Sequence, residues 1–388
     1  MSRTILPGST VGVLGGGQLG RMLALAGGHM GYRFVVLDPT PDAPAGQVSS
    51  GQVVAAYDDR EAAGRLAASS DVITYEFENV DAGVAGMLER EAYVPQGSRL
   101  LHTTQHRLRE KRAVEEAGVR VAPYEPVRDG EDLRAALRRL GTPCVLKTAT
   151  GGYDGRGQRV IRSEDEAPAA LSELSGEGTE LVLERFVRFE KELSVIAART
   201  PGGEVRTFPP AENVHVDNIL HLSIVPARIP REVQEEARRM AVRVAEGLGV
   251  VGLVAVEMFW AGGDGLYVNE LAPRPHNSGH YTIEACATSQ FEQHLRAICN
   301  LPLGPSDLLT PAVMVNVLGE HLEPLVRALS EGRIAARGGA VPKVHLYGKA
   351  ESRPKRKMGH VTLLAPETGA ALRWVEESGL WKAQGGAA

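Results

Sequence analysis

Apolar positions along this chain repeat with two periods, one of strands and one of helices, and their alternation predicts the architecture. A short apolar run at Val11, Val13 and Leu14 meets a glycine cluster, a helical stretch continues through Leu25, and a second run from Phe34 to Leu37 closes on Asp38. That order opens a βαβ unit. Asp71 to Tyr75 reads as a further strand and delivers the turn Glu76, Phe77, Glu78, Asn79 to its carboxyl end, where α/β sheets present binding groups. Thr103 or Thr104 caps a helix that runs through Ala117 and stops at Gly118. Leu133, Leu137 and Leu140 recur at helical spacing, after which Val145 and Leu146 carry Lys147 into a glycine-rich loop, 151–157. Gln158 to Arg162 resumes as strand, and 180–186 and 192–198 read as two more.

Val233, Ala237, Met240, Ala241, Val244 and Leu248 form one face of a helix leading into the apolar run Val250 to Met258. Leu266 to Val268 follows beyond a turn at Gly262, Gly263, Asp264 and Gly265, so the two runs form a hairpin. After Pro302 the composition shifts, with Pro305 and Pro311 marking a boundary, and a smaller β-rich segment extends to about residue 365. The reading is an α/β (α+β) chain in three parts, residues 1–102, 103–305 and 306–382.

The hairpin carries the most informative chemistry. A lone Glu257 in an apolar strand is as readily an edge-strand acid, but Glu270 on the partner strand makes a pair. Two carboxylates brought close together out of water are costly unless a divalent cation lies between them. Hard cations such as Mg²⁺ take one or two carboxylates plus nucleotide phosphates, so the pair predicts a MgATP site. Lys147 supports it, because a cation on an otherwise apolar strand needs a partner such as phosphate. The loop Gly151, Gly152, Tyr153, Asp154, Gly155, Arg156, Gly157 would by itself be a flexible hairpin; beside Lys147 it reads as a flap over a triphosphate. No Lys-Ser or Lys-Thr follows the last glycine, so it is not a P-loop.

Gly15, Gly17 and Gly20, with Asp38 about twenty residues on, match a dinucleotide-binding fingerprint, which keeps a nicotinamide-dependent oxidoreductase open as an alternative. The acid pair has no role in hydride transfer, and a glycine turn can equally hold a phosphorylated substrate near Gln18. Glu184, Arg185, Phe186, Val187 and Glu192 lie at strand ends, where acids are common; as an interdomain hinge they could meet adenine and ribose. His215 alone reads as readily as a structural residue. Lys349, Arg353, Lys355, Arg356 and Lys357 are the one concentrated basic stretch, and Pro354 with the following strand pattern suggests a fixed loop for a substrate phosphate.

The 388 residues, 43% hydrophobic, suffice for two or three domain cores. A formal net charge of −5 spread along the chain argues against a nucleic-acid binder. Cys144, Cys286 and Cys299 have neither disulfide nor zinc spacing and suit a reducing cytoplasm. No leader-like or membrane-length apolar run occurs, so neither secretion nor membrane insertion is expected.

Taken together, GGGQLGRM at 15–22, TYEFENV at 74–80, GGYDGRGQ at 151–158, AENVH at 211–215, NELAPRPHNSGHYTIEAC at 269–286, SQFEQHLRA at 289–297 and RPKRKMGHV at 353–361 closely resemble the 5-(carboxyamino)imidazole ribonucleotide synthases, ATP-grasp ligases of purine biosynthesis. The resemblance covers nearly the whole length. It implies an ATP-grasp fold behind a Rossmann-like N-terminal domain, with a small β-rich C-terminal domain. The implied reaction uses ATP, bicarbonate and 5-aminoimidazole ribonucleotide, passes through carboxyphosphate, and yields the N-carboxy ribonucleotide, ADP and phosphate. ATP contacts would fall on Arg107, Lys147, Gly152, Tyr153, Asp154, Gly155, Arg156, Gly157, Gln158, Glu184, Arg185, Phe186, Val187, Glu192, His215, Asn269 and Glu270. Glu257 and Glu270 would hold Mg²⁺, with Mn²⁺ an alternative. Arg274 would grip bicarbonate and carboxyphosphate, while Tyr153, Asp154 and Arg156 close on the amine and intermediate. Gln18, Glu76, His276, Asn277, Lys349, Arg356 and Lys357 would contact the ribonucleotide. A homodimer is implied too. The chain departs from the family pattern at His106, commonly an acid, and at Lys355, often glycine. Within the fold, a ligase using formate or an amino acid is the alternative, and such a ligase should lack the PRPHNSGH and RKMGH segments.

Overall fold

Strand Thr10–Leu14 hydrogen-bonds on both edges in a parallel sheet, to Arg33–Asp38 on one side and Val72–Tyr75 on the other, with Gly51–Val54 beyond. The computed structural model describes residues 3–152, 155–176 and 178–381. Alternate strand residues enter different cores. Val11, Val13 and Val36 face the helix Gln18–His29, whereas Leu14, Leu37 and Ile73 face Arg60–Ala68 and Ala82–Glu91. The first helix runs past Leu25 to His29, farther than its pattern suggests. Gly27 lies on its packed face, where the Phe34 ring comes so close that a side chain would collide.

A nine-stranded sheet forms the largest layer. Its order runs Leu266–Ala272, Gly252–Trp260, Lys191–Arg199, Ala211–Val216, Ile219–Val225, Ala312–Leu318, Lys357–Leu364 and Val341–Leu346, with Val205–Thr207 paired at the side of Lys191–Arg199. The three strands that follow Pro305 therefore extend the same sheet, joined through antiparallel pairing of Ile219–Val225 with Ala312–Leu318. Val313, Val315 and Val317 point toward Leu325, Ala328 and Trp374, while Ala312 and Met314 join the core beneath Tyr281. Helices Gly319–Ser330 and Thr368–Ser378 supply that outer cover.

A third sheet, ordered Tyr124–Val127, Leu181–Arg185, Cys144–Thr148 and Gln158–Ile161, is backed by helices Gly130–Leu140 and Ala167–Leu174. Lys147 pairs in register with Gln158, so the glycine-rich loop connects two neighbouring strands, as its pattern suggests. The single helix expected from Thr103 or Thr104 through Ala117 is instead two, Ser98–Thr104 and Arg107–Glu116. His106 between them is extended, and the Arg107 N–H leaves the helix to donate to the Ala149 carbonyl at 2.8 Å. Sequence spacing shows the helical stretches but not the tertiary hydrogen bond that separates them.

The N-terminal sheet is tied to the rest through a buried polar contact. The His294 ring Nε2 lies 2.8 Å from Thr74 Oγ1, Gln96 bonds the same hydroxyl, and Gln96 Nε2 donates to the Pro273 carbonyl at 3.2 Å. Burial alone depresses the His294 imidazole to about 3. Above roughly pH 6.5 the ring is neutral in folded and unfolded chains alike; below it the unfolded chain binds a proton that the native state refuses. Stability should therefore fall as pH drops from about 6.5 toward 3. Urea unfolding at about pH 5 and about pH 7 is expected to show a smaller pH difference for His294→Gln than for the parent, and an equal difference would refute this assignment.

Candidate active site

Glu257 and Glu270 stand directly opposite in the antiparallel register of Gly252–Trp260 and Leu266–Ala272, so their side chains share one face. The register shifts just after Glu257, because Met258 pairs with Val268 and leaves Asn269 as the extra residue. That bulge turns two consecutive residues, Asn269 and Glu270, toward one cleft, where a regular strand would send them to opposite faces. The cleft encloses about 520 Å³ between the nine-stranded sheet and the third sheet.

Charge in the cleft is organised around the two acids. His276 Nε2 is 2.9 Å from Glu257 Oε1; burial would raise this carboxyl, but His276 above all, with His215 and Arg274, holds it down at about 2. Burial and then the neighbouring Glu257 push Glu270 the other way, while Arg107, 3.5 Å from Glu270 Oε2, only partly offsets them. Glu110, which accepts from the Leu271 N–H at 3.1 Å, is driven up to about 8 by burial and by Glu270. An acid pair in which one member resists ionisation is a donor set suited to a hard divalent cation. Among the described residues no group of three or more His, Cys, Asp or Glu side chains forms a cage. Phosphate oxygens would have to complete the coordination.

On the opposite wall Lys147 finds a protein partner. Its Nζ lies 3.0 Å from Glu184 Oε2, and Lys111 approaches the other oxygen of the same buried carboxylate at 3.2 Å. Glu184 thus has its carboxylate committed to lysines, leaving the backbone of Glu184, Arg185, Phe186 and Val187 as the hinge surface of the cleft. His215 Nδ1 is 2.8 Å from Glu192 Oε2; burial lowers the imidazole pKa, but the carboxylate outweighs it and the net shift is upward.

Arg274 is forked onto Glu78, with Nη2 donating to Oε1 at 3.0 Å and Nε to Oε2, and its Nη1 donates to the Pro275 carbonyl at 3.1 Å. The bidentate face assigned to bicarbonate is therefore engaged by a carboxylate from the turn after strand Val72–Tyr75. The following segment is clamped by Gln290, which accepts from the His276 N–H and donates to the His276 carbonyl, at 2.9 and 2.8 Å. Gln293 clamps Gly304 in the same way. Through Gln290 the SQFEQ segment braces the site, while Gln293 fastens the chain beyond it.

Arg107, Lys147, Gly152, Gly155, Arg156, Gln158, Glu184 to Val187, Glu192, His215, Glu257, Asn269, Glu270, Arg274, His276, Asn277 and Lys357 all line the cleft. Gly157 lies outside it, packed on Thr148. Gln18, Glu76, Lys349 and Arg356 do not line it either. Tyr153 and Asp154 fall outside the described residues.

One sequence expectation is corrected, and one alternative loses support. The glycine turn does not leave the helix N-terminus to a phosphate, because the Glu76 carboxylate accepts from the Gly17 and Gly20 N–H groups. Asp38 accepts from the Gly16 N–H at 2.8 Å and from the Tyr57 hydroxyl at 2.7 Å, so it is already committed to the fold, which weighs against a nicotinamide ribose there. The basic loop is fixed, as its pattern suggests. Lys349 Nζ donates to the Lys357 carbonyl at 2.7 Å, and burial followed by Arg356 lowers its pKa to about 8. Lys355 adopts φ +64, a conformation that favours glycine, and is held by its N–H to Glu320 and its ammonium to Asp217.

Sequence reading missed Glu78 as the partner of Arg274, and Glu110 and Lys111 altogether. Arg107, Glu110 and Lys111 are spaced i, i+3 and i+4, so one face of a single helix turn was the available signal.

Comparison with known proteins decides the family. The sequence profile of the ribonucleotide synthetase preATP-grasp domain matches residues 8–105, that of the ATP-grasp domain residues 112–291, and that of the phosphoribosylaminoimidazole carboxylase C-terminal domain residues 312–373. The chain is 49% identical over 379 residues to the N5-carboxyaminoimidazole ribonucleotide synthase of Bacillus subtilis, covering 97% of this chain and 96% of that one. The chain belongs to the N5-carboxyaminoimidazole ribonucleotide synthase family. An ADP complex of one such synthetase superposes with a TM-score of 0.93 at 53% identity, over 98% of this chain and 99% of the other. A synthase from Aspergillus clavatus, solved with ADP and 5-aminoimidazole ribonucleotide, gives 0.87 at 34% identity, over 95% and 97%. The synthase family is one of ATP-grasp ligases, and the bulged carboxylate pair lies within the matched ATP-grasp segment.

Substituting Glu78→Gln removes the counter-charge of Arg274 while preserving shape. A loss of turnover on the order of tenfold or more is expected, because an unpaired guanidinium re-aims toward other acids. Steady-state kinetics beside a melting curve provides the check, and unchanged turnover would show the fork to be dispensable.

Proposed function

We propose that this chain catalyses ATP-dependent carboxylation of 5-aminoimidazole ribonucleotide by bicarbonate, giving the N5-carboxyamino ribonucleotide, ADP and phosphate. The observation that carries the reading is the bulged cross-strand pair Glu257 and Glu270, facing Lys147 and Arg107 across a cleft of about 520 Å³. Family membership over nearly the whole length supports the substrate set.

In this reading the adenine end of ATP lies along the hinge backbone of Glu184 to Val187, with Glu192 and His215 toward the ribose. Lys147 and Arg107 attract the phosphates, and the glycine-rich loop covers them. Glu257 and Glu270 would hold Mg²⁺, which when bound would supply neutralisation of the phosphate charge. Bicarbonate oxygen attacks the γ-phosphorus, the bond to the bridging oxygen breaks, and ADP leaves; carboxyphosphate is the product. Its carboxyl carbon passes to the exocyclic amine, phosphate departs, and the amine gives up a proton. Arg274 stabilises the carboxylate of bicarbonate through whichever donors Glu78 releases, and enclosure by the loop keeps water from the intermediate. Lys349, Arg356 and Lys357 receive the ribonucleotide phosphate, since the helix N-terminus beside them is already filled by Glu76.

The three cysteines are free and buried, which supports a reducing, cytoplasmic setting. Among the described residues no helix is long and apolar enough to cross a membrane. A homodimer is part of the proposal.

Phosphate release from MgATP and bicarbonate, with and without 5-aminoimidazole ribonucleotide, tests the reading: strong stimulation with a labile carboxylated product is expected, and no stimulation would overturn the acceptor. Glu270→Gln should abolish turnover while unfolding stays cooperative, because it removes a cation ligand that lines the cleft. Retained activity would remove Glu270 from the metal site. Lys357→Ala should mainly raise the KM for the ribonucleotide, as loss of uniform binding does; a fall confined to kcat would place Lys357 elsewhere in the mechanism.

A further inference from the structure

One buried carboxylate in this protein serves two lysines. Glu184 keeps only 4% of its side chain accessible, with Lys147 Nζ 3.0 Å from one oxygen and Lys111 Nζ 3.2 Å from the other. Lys111 does not line the cleft, and its own side chain is 2% accessible. It meets no hydrogen-bonding geometry with Glu184, nor does its ammonium bond elsewhere among the described residues. What it contributes at that distance is charge, reinforced by the Tyr124 ring 5.8 Å away. Burying an ammonium so completely is costly unless it does something that an apolar side chain could not.

The count of charges shows what that is. Glu184 with Lys147 alone would be a neutral pair, and the lysine would have no net attraction to offer an anion. Adding Lys111 leaves the three groups with one positive charge, and of the two lysines only Lys147 borders the cleft. Arg107 adds its own charge from beside Glu270, 3.5 Å away, and acts on Glu184 less than either lysine does.

We propose that Lys111 is a positioning residue for the nucleotide site: by sharing Glu184 it leaves the charge of Lys147 available to the polyphosphate without touching the nucleotide itself. This rests on the reading of the cleft as a MgATP site. The sharing shows in Glu184, which is held at about 2 against burial by Lys147 and then Lys111.

The test is steady-state kinetics on Lys111→Met, Lys111→Arg and the double variant Lys111→Met with Glu184→Gln, each with its melting temperature. Lys111→Met should raise the KM for ATP on the order of tenfold, leave kcat within about twofold, and leave the KM for the ribonucleotide unchanged. Lys111→Arg should return most of the loss. The double variant restores one net positive charge and should bring the KM for ATP back to within about threefold of the parent. A merely structural lysine predicts the reverse, a double variant no better than the single one and losses that follow the melting temperature. An unchanged KM in Lys111→Met overturns the proposal. Should that variant fail to fold, the double variant decides, and a KM raised tenfold despite the restored charge count overturns it as well. If the parent itself neither binds nor turns over MgATP, it is the nucleotide reading that fails, and the two failures are distinguishable.

Discussion

Two carboxylates held opposite each other on adjacent strands set the terms for the rest of the molecule. Glu257 and Glu270 are neighbours by register, so the backbone ladder of the nine-stranded sheet keeps them together whatever their mutual repulsion. Such a pair is tolerable only where cations surround it. His276 meets Glu257, Arg107 meets Glu270, and Lys147 acts on Glu270 from the opposite sheet. The bulge at Asn269 adds an amide to the same face. A cleft built this way is charged on both walls, and a metal-bound polyphosphate is the ligand class that satisfies both at once.

Holding that arrangement still requires braces from distant parts of the chain. Gln290 grips both main-chain groups of His276, Gln96 reaches the Pro273 carbonyl from the N-terminal domain, and Glu78 engages Arg274. Three residues of one loop are thus fixed by three elements. The basic loop is braced likewise: its Arg353 backbone packs directly on Gly319, and Gln47 donates to the Gly348 carbonyl at 2.9 Å. Because Ala312–Leu318 and Lys357–Leu364 belong to the same sheet as the acid pair, the basic loop and the nucleotide cleft share one rigid layer. That continuity explains how a basic loop from the last part of the chain is held in fixed relation to a cleft organised by its middle.

Local pattern revealed the opening βαβ unit, the strands that carry Lys147, Glu184 and the two acids, the long helix before them, and the basic loop, because each follows from periodicity, turn residues or a charge set in an apolar run; strands such as Ala211–Val216 and Ala312–Leu318 and helices such as Arg60–Ala68 and Gln290–Ile298 went unread. The sequence by itself also carried the family, through motifs spread over nearly the whole length. Partnerships across long separations were beyond it. Glu78 to Arg274 spans 196 residues, and Glu184 to Lys147 spans 37, and in neither case does spacing say which acid meets which base. The glycine fingerprint suggested an open helix N-terminus, and only tertiary structure filled it with Glu76. Likewise the split between Ser98–Thr104 and Arg107–Glu116 goes with a hydrogen bond to Ala149, just past the end of strand Cys144–Thr148 and 42 residues on. Local pattern fixes what each segment is, since its energy depends on neighbours in the chain; which charges neutralise one another is decided by packing, because electrostatic pairing depends on distance in space and on the water that folding excludes.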